Sequence, residues 1–196
     1  VRFIGNHSSG KMGYDIALCA AQLGASVILV SGPSHCKINH SAIQLISVVS
    51  AQEMLDECQR YFPQVDVAIA AAAVADYRPK TVASQKIKKS AAEFAIELEK
   101  TTDILAAMGA AKKSQFLIGF ALETENEIEN AKLKIQKKNL DLIVLNSLQD
   151  EGAGFRKETN KVTFIDKDFT IEPMELKSKE AVANDILTKV IAHFHA

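Results

Sequence analysis

Val65-Asp66-Val67-Ala68-Ile69-Ala70-Ala71-Ala72 is apolar at every position but one. A strand with one wet face alternates apolar and polar residues. A strand covered on both faces is apolar throughout, which is the habit of parallel sheets flanked by helices. The run therefore predicts a buried parallel strand. Outward from it, residues 26–30 (SVILV), 43–49, 116–121 (FLIGFA) and 141–145 (DLIVL) read as further strands. Helical spacing covers 14–23, 51–61, 101–112, 125–138 and 178–194, with Thr101 or Thr102 capping the third of these and Asp103 in its first turn. Repeated β-α-β units with short connections predict an α/β fold: a Rossmann-like, doubly wound, mostly parallel sheet with helices on both faces.

Two regions break that rhythm. Residues 82–98 are lysine-rich and end in Phe94-Ala95-Ile96-Glu97-Leu98, which alternates like an exposed strand. Residues 161–172 (KVTFIDKDFTIE) read as a β-hairpin turning near Asp166-Lys167-Asp168. Both are candidate dimerisation elements, because exposed strands otherwise leave open edges. With no repeat and no low-complexity linker, residues 1–196 read as one domain.

The bulk properties exclude several classes. Hydrophobic residues make up 47% and charged residues 24% of the 196, and 23 basic against 24 acidic side chains give a net charge of −1. That balance favours neither a nucleic-acid nor a membrane surface. No apolar run reaches the ~18 residues of a membrane span. Cys19, Cys36 and Cys58 are odd in number and lack a C-x-x-C, which fits a reducing compartment and a cytoplasmic protein. His35, Cys36 and His40 match no common zinc spacing.

Gly5-Asn6-His7-Ser8-Ser9-Gly10-Lys11-Met12-Gly13 carries the clearest chemistry. A glycine- and serine-rich turn entering a helix presents free N–H groups and a positive dipole end, a combination that holds phosphate. It nearly fits the P-loop, but Met12 stands where the magnesium-binding hydroxyl belongs. Ala70, Ala71, Ala72 and Ala73 lie where a ligand meets the carboxyl edge of such a sheet, and Asp76 follows, placed for a ribose hydroxyl or a metal-bound phosphate. Lys86-Ile87-Lys88-Lys89 can close over phosphates. Lys134 and Lys138, at i and i+4, can point at one anion together, with Lys132 and Lys137 off that line. Tyr77 to Lys80 is one residue too short for the Tyr-x-x-x-Lys of short-chain dehydrogenases, and Pro79 interrupts it. No G-x-G-x-x-G is present, so an NAD(P)-dependent reductase is a weak alternative. A non-catalytic nucleotide-binding module needs the same turn and edge.

VRFIGNHSSGKMG, AAVADYRP, KIKK, TTDIL, IGFALET and KKNLDLIVLN occur in the order and spacing of bacterial phosphopantothenoylcysteine synthetase, which this chain resembles over essentially its whole length. That family is usually the carboxy-terminal half of a bifunctional coenzyme A biosynthesis protein. The resemblance implies ligation of 4′-phosphopantothenate to L-cysteine, with CTP as cosubstrate and Mg²⁺, through an acyl-cytidylate that releases pyrophosphate and then CMP. It implies a homodimer, and a flavin-dependent decarboxylase fused upstream or working alongside, with no flavin on this chain. By motif, Asn6 corresponds to the asparagine of the second step and Lys86 to the catalytic lysine of the closing loop. Ala70, Ala71, Ala72, Asp76, Thr102, Asp103, Ile104, Leu105, Phe120, Lys134 and Lys138 correspond to nucleotide-contacting positions. Arg2, Asn6 and Ala73 are the expected phosphopantothenate contacts, and Asp76 is the one metal ligand offered. The family's first strand and its T-A-G-x-T turn have no counterpart before Val1, Thr102 stands where proline is common, and the decarboxylase half is absent.

Overall fold

The computed structural model describes residues 4–83, 85, 95–147 and 159–195. The chain enters α1 (Lys11–Gln22), then β1 (Val27–Ser31), β2 (Ile43–Ser47) and α2 (Ala51–Tyr61). A single 3-10 turn (Phe62–Gln64) leads to β3 (Val67–Ala70), β4 (Tyr77–Pro79) and β5 (Leu98–Lys100). There follow α3 (Ile104–Ala111), β6 (Phe116–Glu123), α4 (Glu127–Lys138) and β7 (Leu142–Ser147). The last described elements are β8 (Thr159–Asn160), β9 (Val162–Asp166), β10 (Ile171–Pro173), β11 (Lys177–Ser178) and α5 (Lys179–Phe194).

The central sheet runs β10-β9-β7-β6-β3. Strands β3, β6 and β7 are parallel, with Ala70 beside Gly119 and Gly119 beside Ile143; β9 joins β7 antiparallel, with Phe164 beside Val144. Alternate residues of the same strands serve opposite faces. Phe116, Ile118, Leu142, Val144, Val162 and Phe164 pack with Ile16 and Cys19 of α1 and Val182 and Ile186 of α5. Leu117, Ala121, Ile143, Leu145 and Ile165 pack with Leu55 of α2, Ile104 and Met108 of α3, and Ala131 and Ile135 of α4. Each fully buried aliphatic side chain here contributes about 1.5–3 kcal/mol. This two-sided covering is the doubly wound arrangement read from the apolar runs.

Several expectations change in detail. The run at 65–72 forms a strand only over Val67–Ala70, and it ends the five-stranded order instead of lying in its middle, since β1 and β2 make a separate parallel ladder. The hairpin does turn after Asp166, whose Oδ1 accepts the amides of Asp168 and Thr170 at 2.9 Å each. Its first strand is core, however: Val162, Phe164 and Ile165 are at most 2% exposed. Of the two hairpin strands, β10 is the one at the sheet edge. The alternating stretch 94–98 starts outside the described residues, and the strand there begins at Leu98, pairing antiparallel with β4. Neither Thr101 nor Thr102 caps α3. Asp103 does, its Oδ1 accepting the Ala106 amide at 2.9 Å, because its carboxylate is three residues before that amide. Helix α2 opens with a capping box: Ser50 Oγ accepts the Glu53 amide and Glu53 Oε2 accepts the Val49 amide.

Helices α3 and α4 meet at a point where no side chain fits. A Cβ on Gly109 would lie 1.8 Å from the carbonyl oxygen of Lys138. Asn139, left-handed at φ 51°, ends α4 there and donates its Nδ2 to the Gly109 carbonyl at 3.1 Å.

Candidate active site

A cleft of about 2490 Å³ separates the β1–β2 ladder from β3 and runs along both strands, from residues 25–26 and 64–66 at their amino ends to their carboxyl ends. Residues 27–31 line one side and 65–73 the other; the start of α1, the loop to Asp76 and the start of α3 form its mouth. Its carboxyl-end part is where an open α/β sheet receives ligands.

The glycine–serine turn forms one lip. Gly10 turns the chain into α1 in the left-handed region, φ 78°, with Ser34 Oγ only 3.2 Å from where a Cβ would stand. Ser34 in turn donates to the Ser9 carbonyl at 2.7 Å. Ser8 Oγ accepts the Gly10 amide at 3.4 Å and Ser9 Oγ the Lys11 amide at 3.3 Å. No acidic residue stands in the first turn of α1, whose positive dipole end faces the cleft.

The strand-end loop forms the opposite lip. Asn6 Nδ2 donates to the carbonyls of Ala73 and Val74 at 3.4 and 3.1 Å, which puts Asn6 directly against the alanine run. Thr101 Oγ1 donates to the Ala75 carbonyl at 2.6 Å, and the Thr101 amide to the Asp76 carbonyl at 2.9 Å. The Asp76 side chain is exposed, lines the cleft and pairs with no described residue.

Thr102, Asp103, Ile104, Leu105, Phe120 and Lys138 complete the lining. Asp103 pairs with Lys138 at 2.8 Å. Burial would raise the Asp103 carboxyl, but hydrogen bonds from Lys138 and the Ala106 and Leu105 amides, with the Lys138 charge, hold it below the usual carboxylate range. Lys134 does not share an anion site with Lys138. It pairs with Glu123 at the end of β6, whose other oxygen accepts from Asn130 Nδ2 at 3.2 Å, and it does not line the cleft. Lys86 and Arg2 lie outside the described residues.

A smaller recess of about 210 Å³ adjoins the α1 turn and is lined by Ala71–Ala73, Phe120, Asn146, Asn160 and Lys179. Asn146 Oδ1 is buried there without a hydrogen bond, and Lys179 is 5% exposed. Of this lining Asn146, Asn160 and Lys179 were not singled out in the sequence, and Thr101 was singled out only as a helix cap. Only the position of Lys179, at the start of a helix otherwise read as amphipathic, hinted that it is more than a solvated lysine.

Among the described residues no three His, Cys, Asp or Glu side chains converge on a metal position. A magnesium ion that arrives with phosphates keeps several waters and needs only one or two carboxylates, a demand that Asp76, which pairs with no described residue, can meet. No described helix is long and apolar enough to cross a membrane.

Residues 1–194 match the family described as DNA/pantothenate metabolism flavoprotein C-terminal domain. The chain belongs to that family. A protein of an unknown prokaryotic organism named Cysteine/Cysteine sulfinic acid decarboxylase is 50% identical over 196 residues, covering 100% of this chain and 55% of that protein. Coenzyme A biosynthesis bifunctional protein CoaBC of Bacillus subtilis (strain 168) is 43% identical over 192 residues, 98% of this chain and 47% of that protein. The crystal structure of the C-terminal domain of a Coenzyme A biosynthesis bifunctional protein CoaBC superposes with a TM-score of 0.84 at 42% identity, covering 100% of this chain and 88% of that one. The chain thus spans about half the length of the curated relatives it matches, and its α/β fold is that of the family's solved members.

Proposed function

We propose that this chain joins 4′-phosphopantothenate to L-cysteine in coenzyme A biosynthesis, with CTP as cosubstrate. The observation that supports it is the match, over the whole chain and at 42% identity, to a CoaBC C-terminal domain. The cleft supplies the parts such a reaction needs: a phosphate-holding turn, a loop of small residues at a strand edge, and Asn6 between them. In the first step a carboxylate oxygen of phosphopantothenate attacks the α-phosphorus of CTP. A P–O bond forms, and pyrophosphate leaves. In the second the cysteine amine attacks the acyl carbon. A C–N bond forms, the amine loses a proton, and CMP leaves.

Asn6 carries the second step in this reading, its amide donating to the acyl oxygen as charge gathers there. Lys86 neutralises the triphosphate, and Arg2 and Ala73 meet phosphopantothenate. The strand-end alanines, Asp76, Thr102–Leu105, Phe120 and Lys138 surround the nucleotide. Asp76 would hold in part a magnesium ion, whose charge would stabilise the pyrophosphate leaving group. The working form is a cytoplasmic homodimer that acts with a flavin-dependent decarboxylase, fused to it or working alongside.

The test is pyrophosphate release with 4′-phosphopantothenate and Mg²⁺, comparing CTP with ATP, each with and without cysteine. Cysteine-dependent turnover with CTP is expected. Turnover with ATP alone would keep the ligation and discard the nucleotide. Because one relative bears a decarboxylase name, a parallel incubation with cysteine alone follows carbon dioxide; its release without ligation would discard the ligase reading.

A further inference from the structure

The small recess beside the α1 turn is built from parts that a phosphate-holding lip does not need. It opens into the main cleft, because Ser8–Lys11, Ala71–Ala73, Phe120 and Lys179 line both. Three polar side chains reach it from three elements: Asn146 of β7, Asn160 of β8 and Lys179 in the first turn of α5. Asn160 and Lys179 are 6% and 5% exposed, and Asn146 Oδ1 is buried with no hydrogen-bond partner. An orphaned acceptor of that kind costs free energy until a donor meets it. Lys179 stands at the positive end of a helix, where burial and the dipole both oppose an ammonium group, and an anionic ligand would relieve both. Phe120, Ala121 and Leu122 of β6 supply an apolar wall, and among the described residues neither aspartate nor glutamate lines the recess.

We infer that this recess is the subsite for the free amino acid L-cysteine: the Lys179 ammonium holds its carboxylate, Asn146 Oδ1 accepts from its amine, and its small side chain lies against the β6 wall. The size fits. A volume of about 210 Å³ is the share of about seven waters, the bulk of a small amino acid and too little for a nucleoside. The place fits as well, since Ala73, whose carbonyl Asn6 meets at 3.4 Å, also lines the recess. A neutral acceptor suits the chemistry, because only an unprotonated amine can attack an acyl carbon. A carboxylate in place of Asn146 would favour the ammonium form. An amide oxygen accepts an N–H without doing so, and the charge of Lys179, with that of Lys11 partly offset by Asp15 at 3.1 Å, favours the neutral amine. Pyrophosphate is the wrong occupant: it brings no apolar surface for the wall and, when fully ionised, no donor for Oδ1.

The inference rests on the ligation reading, and the experiment separates the two. Lys179→Met nearly keeps the bulk of the side chain and removes its charge. A charge-assisted hydrogen bond lost in this way changes affinity by about tenfold or more. The KM for L-cysteine is expected to rise by about that factor, while the KM for CTP and the pyrophosphate burst without cysteine stay within about twofold of the parent. Asn146→Asp should move the onset of cysteine-dependent turnover to higher pH, a change that a merely structural role would not produce. In the unsubstituted protein, L-cysteine should shift the side-chain amide signals of Asn146 in a nuclear magnetic resonance titration.

An unchanged KM for cysteine in Lys179→Met would overturn the inference, as would an unmoved pH profile in Asn146→Asp. A rise in the KM for CTP in place of that for cysteine would overturn it too and make the recess a phosphate site. If ligation is silent in the parent, but cysteine still shifts the Asn146 signals and Lys179→Met abolishes the shift, the ligase reading fails and the amino-acid subsite stands. Circular dichroism checks that both variants fold. Should Lys179→Met fail that check, the titration of the parent protein decides alone, and signals that stay in place at millimolar cysteine would overturn the inference.

Discussion

Replacing Gly109 by alanine sets two physical effects of opposite sign against each other. Within a helix the change removes the backbone entropy cost of glycine and on propensity alone stabilises by about 1 kcal/mol. Against this, the new Cβ would stand 1.8 Å from the Lys138 carbonyl oxygen and 2.7 Å from its carbon. Neither atom can rotate away, because both belong to the backbone of α4. The helices must part by more than an ångström, which loosens the Asn139–Gly109 hydrogen bond and strains the packing of Met108 on the sheet. Overpacking of this kind costs about 1–3 kcal/mol and at a backbone contact lies at the upper end, so the net effect is a loss of about 2 kcal/mol. For a chain of this size that lowers Tm by roughly 4–8 °C. Gly13→Ala is the matched control: it lies inside α1, and a Cβ there meets nothing within 4 Å. It should raise Tm slightly. Thermal unfolding followed by circular dichroism reads both. A Gly109→Ala protein that melts at or above the parent temperature would refute the clash argument and leave propensity in command.

Asp141 accepts from Lys112 Nζ at 2.9 Å and from the Leu117 amide at 2.8 Å, in a pair whose side chains are 15% and 11% exposed. Asp141→Ala strands both donors and should destabilise by about 3–5 kcal/mol in denaturant titration. Asp103 titrates below its ordinary 3.8 in the folded protein, so its contribution is complete above that value and is lost as pH falls through the lower folded one. Asp103→Asn keeps the cap. The gap in stability from the parent should be about 0.5–1 kcal/mol at neutral pH and close as acid protonates Asp103 in the folded protein; a gap that persists in acid would contradict the assignment. Asn6→Asp replaces the donor facing the Ala73 and Val74 carbonyls by an acceptor, and the acyl-nucleotide should accumulate in quenched reactions while cysteine-dependent product falls.

What the sequence made legible follows from range. The two-sided sheet was readable because FLIGFA and DLIVL are apolar on successive residues, a signal carried by neighbours. The glycine–serine turn was readable for the same reason. Lys134 and Lys138 misled because i,i+4 spacing places two ammonium groups on one helix face but says nothing of Glu123 and Asp103, which arrive from β6 and from before α3. Thr101 misled likewise. Threonine before a helix suggests a cap, yet Asp103 competes better and leaves the hydroxyl for Ala75. Gly109 and Asn139 gave no warning at all, since a glycine in a helix announces a close approach only when the second helix is in view.

The instructions for shaping the strand-end loop are written far from the loop. Its carbonyls are held by a residue 67 or 68 positions upstream and by another 26 positions downstream. The alanines between them contribute smallness and little else. Drift within the loop toward serine or glycine would leave its shape intact, while a single change at Asn6 or Thr101 would redraw it. An engineer seeking to reshape this edge of the cleft would therefore begin at those two anchors and leave the alanines alone.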